Sequence, residues 1–213
     1  MKSLFIGRFQ PVHLGHIDAI KQALKESDFL YIAIGSTQNN FRPNNPFTAG
    51  ERFQMLEAAL EEAKIPRSKY NIVTIPNIDN YALWVAHVQL YLPPFQKIYT
   101  GSDVVKELFE NANLQLKKPY QIIDIKKHLK ISSTIVREEM LKSALSGSKS
   151  NSKNDPSANA QKWEQLVPKS VTKLLQSWKA TNRLKNIQES EKGNLLGNLR
   201  VNMSTVESKA TLV

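Results

Sequence analysis

The part of the sequence with the most potential for chemistry is residues 7–16, which read GRFQPVHLGH. Two glycines let the backbone approach a ligand closely, and His13 and His16 are three positions apart, so they share one face if a helix has begun by His13. Imidazole N–H groups at a helix start, beside backbone amides without partners, can hold phosphate oxygens. A single histidine is more often structural, and a single glycine is usually a turn. Their combination at one place favours a phosphate site.

The elements around this stretch must position it. The first two thirds of the chain alternate short, β-branched apolar runs with amphipathic stretches, the pattern of an α/β protein with a parallel sheet flanked by helices. The predicted strands are residues 3–7, 29–35, 71–75, 97–100 and 120–125, and the predicted helices are 15–26, 49–63, 81–92, 104–111 and 133–145. Ligands of such sheets bind beyond the carboxyl ends of the strands, and residues 7–16 occupy such a position.

Changes in composition divide the chain into four parts. We predict a main domain over residues 1–142 and a flexible insertion over 143–160, where Ser, Asn, Lys and Gly leave almost nothing to bury. A helical extension is predicted over 161–187, because Val171, Leu174, Leu175 and Trp178 follow at helical spacing and form one apolar face. Glycines and asparagines interrupt the periodicity after that, and residues 188–213 are predicted to be a disordered tail.

The overall composition excludes several classes of protein. The sequence has no cysteine, so disulfides, thiolate metal sites and cysteine nucleophiles are excluded. No apolar run reaches the roughly 18 residues of a membrane span and no signal-peptide pattern is seen, which predicts a cytoplasmic protein without a membrane partner. The net charge is +10, but aromatic residues are not interleaved with the basic ones. We therefore expect no nucleic-acid partner.

Two motifs connect the chain to a known family. The HLGH of residues 13–16 resembles the HxGH signature of the nucleotidyltransferase superfamily, and ISSTIVR at 131–137 resembles the superfamily's serine-rich helix start followed by arginine. Alone, the second motif would be an ordinary helix cap. Within the superfamily the chain is most similar to the archaeal-type nicotinamide-nucleotide adenylyltransferases. The similarity is carried by residues 7–16, 34–36, 45–52, 82–87, 93–95, 99–101 and 132–137.

The resemblance implies a Rossmann-like fold and an enzyme that forms NAD and pyrophosphate from ATP and nicotinamide mononucleotide, with nicotinic acid mononucleotide as a further acceptor. It implies a homo-oligomer. The implied catalytic residues, which contact the triphosphate, are Arg8, His13, His16 and Arg137. The implied ATP-binding residues are these four together with Gly7, Phe9, Gly15, Arg42, Gly101, Ile131, Ser132 and Ser133. The implied acceptor-binding residues are Phe9, Asn77, Ile78 and Trp84, and Trp84 would stack on the nicotinamide ring.

Magnesium is expected to bridge the phosphate oxygens of ATP, so no dedicated metal ligands are predicted. Asn77 stands where the family commonly has an acidic residue, and it would offer a carbonyl to the carboxamide. Ser102 and Asp103 stand where many relatives have Gly-Asn. Trp84 has an alternative role as a core residue. The alternatives to the main function are adenylyl transfer to another acceptor, such as phosphopantetheine or FMN, and a nucleotide-binding protein without catalysis.

Overall fold

The computed structural model describes residues 1–146 and 162–192 of the 213-residue chain. Five parallel strands form one sheet: β1 (Lys2–Gly7), β2 (Phe29–Ile34), β3 (Tyr70–Thr74), β4 (Lys97–Thr100) and β5 (Gln121–Asp124). The α-helices are α1 (Leu14–Lys25), α2 (Ala49–Glu62), α3 (Trp84–Leu90), α4 (Asp103–Asn113), α5 (Ser133–Ser146), α6 (Lys169–Ser177) and α7 (residues 180–192). The predicted α/β fold with a parallel sheet is confirmed. The predicted helix over 81–92 is instead a 3-10 turn (Tyr81–Leu83) followed by α3, because the N–H groups of Leu83 and Trp84 donate to carbonyls three residues earlier.

Both faces of the sheet are covered, which explains why its strands are nearly continuous apolar runs. Along β1 and β2, alternate side chains point to opposite faces. Phe5 and Ile32 join the core formed with α1, α2, α5 and α6, whereas Leu4 and Tyr31 join the core formed with α3 and α4. The sheet is therefore held between two separate apolar layers.

The strand order is β3-β2-β1-β4-β5. The chain adds strands on one side of β1 and then crosses to the other side, so β1 and β4 are neighbours at the point where the order reverses. The connections after β1 and β4 leave in different directions there and open a crevice beyond Gly7 and Thr100. This crevice lies next to the start of α1, where the two histidines stand.

The C-terminal helices pack on α2. The Glu62 carboxylate accepts from the backbone N–H groups of Lys169 (3.1 Å) and Ser170 (2.7 Å), so it caps the start of α6. Val171 and Leu175 of α6 are buried, as the predicted apolar face requires. In α7, Arg183 forms an ion pair with Glu51 of α2 at 2.7 Å. The extension is thus attached at both ends of one helix.

The predicted boundaries of the insertion and of the tail differ from the ends of the observed helices at two places. Helix α5 runs to Ser146, so it takes the first part of the stretch predicted as an insertion; residues 143–146 read SALS, and Ala and Leu favour helix. Helix α7 takes residues 188–192 of the predicted tail. The rest of both predictions, 147–160 and 193–213, lies outside the described residues.

Candidate active site

The loop between β1 and α1 is held firmly by a buried glutamine. Gln10 is 1% exposed, and its side-chain amide donates to the Phe47 carbonyl while its oxygen accepts from the Phe47 N–H, both at 2.9 Å. Phe9 has a positive φ of 53°, and its buried ring packs edge-on against Phe5 and at a tilt of 52° against His16. The loop is therefore held by a polar pair on one side and by aromatic packing on the other.

The two histidines stand at the first turn of α1. His13 is the N-cap residue, and its backbone N–H donates to His16 Nδ1 at 3.2 Å. The two rings stack with centroids 3.6 Å apart. Because His16 Nδ1 accepts this hydrogen bond, the neutral ring carries its hydrogen on Nε2, which is then a donor for a ligand. His13 Nδ1 is buried without a hydrogen-bond partner among the described atoms.

Gly15 packs closely against the His13 ring. A Cβ atom at residue 15 would lie 3.0 Å from His13 Nδ1 and 3.1 Å from His13 Cε1, closer than most Cβ contacts in proteins. Any other residue would therefore require the ring to shift by a few tenths of an ångström. The glycine of the HxGH motif makes room for the first histidine as well as for a ligand.

Burial keeps both imidazoles neutral. It lowers the pKa of His13 from 6.5 to about 4. Burial also lowers the pKa of His16 well below its usual value, and the neighbouring His13 lowers it further. Near pH 7 the free protein therefore presents N–H donors here instead of imidazolium cations. The positive charges of the site come from arginine and lysine side chains.

Arg137 connects the second motif to the first. It is 6% exposed, and its guanidinium donates to the Gln10 carbonyl at 2.7 Å and to Asn44 Oδ1 at 3.4 Å. Burial lowers its pKa from the usual arginine value, and the positive charge of Arg8 lowers it further. In the same motif, the Ser133 hydroxyl donates to the Pro11 carbonyl at 3.0 Å. The start of α5 is thus joined to the loop that carries the histidines.

These residues enclose a cavity of about 330 Å³, which we call the histidine cavity. Eleven of the predicted ATP-binding residues line it. They are Gly7, Arg8, Phe9, His13, Gly15, His16, Gly101, Ile131, Ser132, Ser133 and Arg137. The four residues predicted to be catalytic are therefore gathered at one place, although Arg137 is far from the others in the sequence.

Arg42 does not line the histidine cavity. It lies in the long connection between β2 and α2, where its backbone pairs with that of Asn45 through hydrogen bonds of 3.2 and 3.0 Å. Its side chain borders a different, more open cavity next to α6 and α7. This connection has no periodic pattern, so the sequence did not indicate the direction in which Arg42 points.

A second cavity, of about 320 Å³, lies on the other side of Arg8. We call it the indole cavity, after Trp84. Its other lining residues are Ile6, Gly7, Arg8, Gly35, Ser36, Ile75, Pro76, Asn77, Ser102 and Val105. Of the predicted acceptor-binding residues, Asn77 and Trp84 line it. Phe9 lines the histidine cavity instead, and Ile78 packs against the apolar core.

Trp84 is part of the core and part of the cavity wall. It is 8% exposed, and its ring meets Phe109 edge-on at 6.1 Å, so the predicted alternative of a core role is also correct. The indole N–H donates to Asn77 Oδ1 at 3.1 Å. The Asn77 oxygen thus has one of its two acceptor positions occupied, and the side chain also has an NH₂ donor for a ligand. The expected contact between the Asn77 carbonyl and a carboxamide stays a prediction.

The two cavities meet at four residues: Ile6, Gly7, Arg8 and Ser102. Ser102 is the N-cap of α4, so free backbone amides of that helix also lie near the junction. A molecule in one cavity and a molecule in the other would approach each other beside the Arg8 guanidinium. This arrangement suits the joining of two anionic molecules.

Sequence reasoning missed the residues after β5. Lys126, Lys127 and His128 line the histidine cavity, and the Lys127 side chain passes close to Gly101. Gln22 exchanges two hydrogen bonds with the Lys126 backbone, and Asp18 pairs with His128 at 3.0 Å. The signal was available, because residues that follow a parallel strand lie at the same edge of the sheet as those that follow its neighbours.

Comparison with known proteins agrees with this geometry. Residues 4–139 match the family model described as cytidylyltransferase-like. The chain is 39% identical over 191 residues to the nicotinamide-nucleotide adenylyltransferase of Pyrobaculum arsenaticum, covering 90% of this chain and 96% of that one. It is 36% identical to the same enzyme of Methanococcus maripaludis strain C6, covering 90% and 98%. The chain belongs to the nicotinamide-nucleotide adenylyltransferase family.

The family is one of nucleotidyltransferases, and the predicted enzyme class is confirmed. Solved structures support the fold. A bifunctional NMN adenylyltransferase/ADP-ribose pyrophosphatase from Francisella tularensis superposes with a TM-score of 0.66 at 22% identity, covering 95% of this chain and 56% of that one. The nicotinic acid mononucleotide adenylyltransferase of Plasmodium falciparum superposes with a TM-score of 0.54 at 15% identity, covering 85% and 96%. Among the described residues, no helix is long and apolar enough to cross a membrane.

Proposed function

We propose that the chain forms NAD and pyrophosphate by transferring the AMP part of ATP to nicotinamide mononucleotide. In this proposal the triphosphate of ATP binds in the histidine cavity, and the mononucleotide binds in the indole cavity. The observation that carries the proposal is the junction of the two cavities at Arg8 and Ser102, with the neutral histidines on one side and Trp84 on the other. Membership of the adenylyltransferase family supports it.

The chemistry of the step fits the residues present. The attacking group is the phosphate monoester of the acceptor, which is mostly ionised at neutral pH because its second pKa is about 6. No general base is therefore needed. Attack on the α-phosphorus breaks its bond to the bridging oxygen, and pyrophosphate leaves with that electron pair. The protein has to align two anions and stabilise the charge that develops.

We assign these tasks to four residues. Arg8, at the junction, would neutralise both the acceptor phosphate and the α-phosphate. His16 Nε2 and the His13 ring would donate to phosphate oxygens, and the buried Arg137 would hold the triphosphate against the start of α5. All four line the histidine cavity. Removing one such transition-state donor typically lowers turnover by about 10² to 10³.

Magnesium would enter as part of the ATP complex. Asp18 is the one carboxylate among the described residues that line the histidine cavity, and it is paired with His128. Across residues 1–146 and 162–192, no three His, Asp or Glu side chains cluster as metal ligands do. These residues suit a magnesium ion whose ligands would be mainly phosphate oxygens of ATP and water molecules. The ion would offset negative charge on the leaving pyrophosphate.

The indole cavity supports a flat, aromatic acceptor. The Trp84 ring lines it, and the Asn77 NH₂ group can donate to a carbonyl oxygen beside that ring. A carboxamide and a carboxylate both carry such an oxygen. We therefore propose that the enzyme also accepts nicotinic acid mononucleotide.

The proposal is tested by pyrophosphate release from ATP and magnesium with a panel of acceptors. Nicotinamide mononucleotide should give the highest kcat/KM, with the nicotinic acid form second. A higher value for phosphopantetheine or FMN would overturn the assignment of the acceptor while keeping the reaction type. No release with any acceptor, at normal ATP binding, would favour the nucleotide-binding alternative. A cytoplasmic location and a homo-oligomeric state are also part of the proposal, and light scattering measures the second.

A further inference from the structure

Arg52 of α2 is a completely buried arginine whose side chain is bound by backbone carbonyls. It is 0% exposed. Its Nη1 donates to the Arg8 carbonyl at 3.0 Å and to the Gly35 carbonyl at 2.7 Å. Its Nη2 donates to the Ser36 carbonyl at 3.3 Å, and its Nε to the Thr48 carbonyl at 3.2 Å. One side chain thus joins the loop after β1, the end of β2 and the start of α2.

No carboxylate pairs with this arginine among the described residues. Burying a charge is costly unless strong hydrogen bonds compensate for the lost water. Here the compensation comes from carbonyl groups of three separate segments. The planar fork of the guanidinium can reach all of them at once, whereas the ammonium group of lysine is a single point with three donors.

The segments that Arg52 joins are the walls of the two cavities. Arg8 lines both cavities, and Gly35 and Ser36 line the indole cavity. Ser36 has a positive φ of 53°, a conformation that needs support in a residue with a side chain. The Gly35 N–H also donates to the Gly7 carbonyl at 2.9 Å. This backbone hydrogen bond and the Arg52 side chain together set the distance between the wall of the indole cavity and the backbone of Arg8.

We propose that Arg52 is a positioning residue for adenylyl transfer. It holds the backbone of Arg8 at a fixed distance from Gly35 and Ser36, so that the acceptor phosphate meets the α-phosphate in line beside the Arg8 guanidinium. Arg52 lines neither cavity and touches neither substrate. Its effect is on alignment, and this inference rests on the proposed function.

The test compares Arg52→Met, which keeps length and loses every hydrogen bond, with Arg52→Lys, which keeps the charge and loses the fork. Misplacing reacting groups by about 1 Å can lower a rate by about 10². We expect kcat to fall about 100-fold in Arg52→Met and about 10-fold in Arg52→Lys, while KM for ATP changes less than about 3-fold. Leu175→Ala, in the buried face of α6, is the control for loss of stability without a change in the site.

Chemical rescue separates positioning from structural support. In Arg52→Ala, methylguanidinium should restore kcat in a saturable way, and methylammonium at the same ionic strength should not. The rescue is measured at concentrations that leave the melting temperature of the wild type unchanged. A structural role alone would raise the folded fraction on rescue without changing turnover per folded molecule.

Two results would overturn the inference. One is a folded Arg52→Met variant with normal kcat, and the other is a loss of turnover no larger than that of Leu175→Ala at equal folded fraction. If Arg52→Met does not fold, normal kcat in a folded Arg52→Lys variant overturns it equally. Failure of the proposed function gives a different result, because the wild type itself would then release no pyrophosphate with the mononucleotides. If the wild type uses another acceptor, the Arg52 variants and Leu175→Ala are compared with that acceptor.

Discussion

The histidine cavity and the indole cavity share Arg8, but different interactions hold them together. In the histidine cavity three polar side chains form hydrogen bonds to backbone groups: Arg137 to Gln10, Ser133 to Pro11 and His16 to His13. The indole cavity is an extension of the apolar core, with a polar pair between Trp84 and Asn77. In the proposed function, the reaction would therefore depend on a network of hydrogen bonds, whereas the choice of acceptor would depend on packing and a single hydrogen bond. We expect substitutions in the first to change turnover and those in the second to change acceptor preference.

The largest effect should come from His16→Ala. Alanine favours helix and leaves the buried contacts of Ile17 and Ile20 in α1 unchanged, so the helix is retained although the hydrogen bond from the His13 N–H is lost. The donor at Nε2 is lost with the ring. We expect kcat to fall by about 10² to 10³ while ATP affinity changes less than about 10-fold. Steady-state kinetics and calorimetric titration of ATP measure the two values, and Ile20→Val is the control for core contacts in the same helix. Equal losses of kcat and ATP affinity would mean that the contact is made in the ground state.

The second effect is on stability against pH. The folded-state pKa of His13, about 4, lies below the usual 6.5, so folding favours the neutral ring. This contribution is complete above about pH 6.5 and is lost as the pH falls toward 4. We expect the free energy of unfolding to drop by about 2 kcal/mol from His13 alone between pH 7 and pH 5. Urea denaturation at several pH values measures it, and His13→Gln should show a smaller slope. Equal slopes in the variant and the wild type would show that the ring is not buried as described.

The third prediction is restricted to the indole cavity. Asn77→Asp places a carboxylate beside the acceptor ring, which accepts from a carboxamide and repels the carboxylate of the acid form. We expect kcat/KM for the amide relative to the acid to rise about 10-fold. The KM for ATP should be unchanged, because the histidine cavity is not altered. An unchanged preference would mean that residue 77 does not contact the acceptor ring.

The smallest effect should follow Arg42→Ala. The Arg42 side chain borders the cavity beside α6 and α7, so we expect KM for ATP to change less than about 3-fold. Arg67→Ala, at an exposed arginine of the 3-10 turn before β3, is the matched control. An increase above 10-fold for Arg42→Ala alone would show that Arg42 contacts ATP when ATP binds, as the family resemblance implies.

The sequence predicts the elements and the histidine cavity better than it predicts the side chains that support them. Apolar runs mark strands buried on both faces. A motif between a strand and the helix that follows it must lie beyond the carboxyl end of that strand in a parallel sheet. Arg52 has no such signature, because a charged residue in the first turns of a helix normally faces solvent. Its role becomes visible only when carbonyls from two distant segments and from the start of its own helix converge on it. Asn77 and Trp84, which were both predicted to bind the acceptor, line the same cavity, but the sequence does not show that the Asn77 oxygen accepts from the indole N–H.

The crowding of Gly15 by the His13 ring has a consequence for protein engineering. Replacing a helical glycine with alanine usually stabilises a protein by about 0.4 to 1 kcal/mol, because the unfolded chain loses freedom. At Gly15 the added methyl group would require the ring of His13 to shift by a few tenths of an ångström. An alanine chosen at this residue for heat resistance would therefore disturb the position of a histidine to which we assign a role in the reaction. The first turn of α1 therefore contains glycine, a weak helix former, at residue 15 because the His13 ring packs against it.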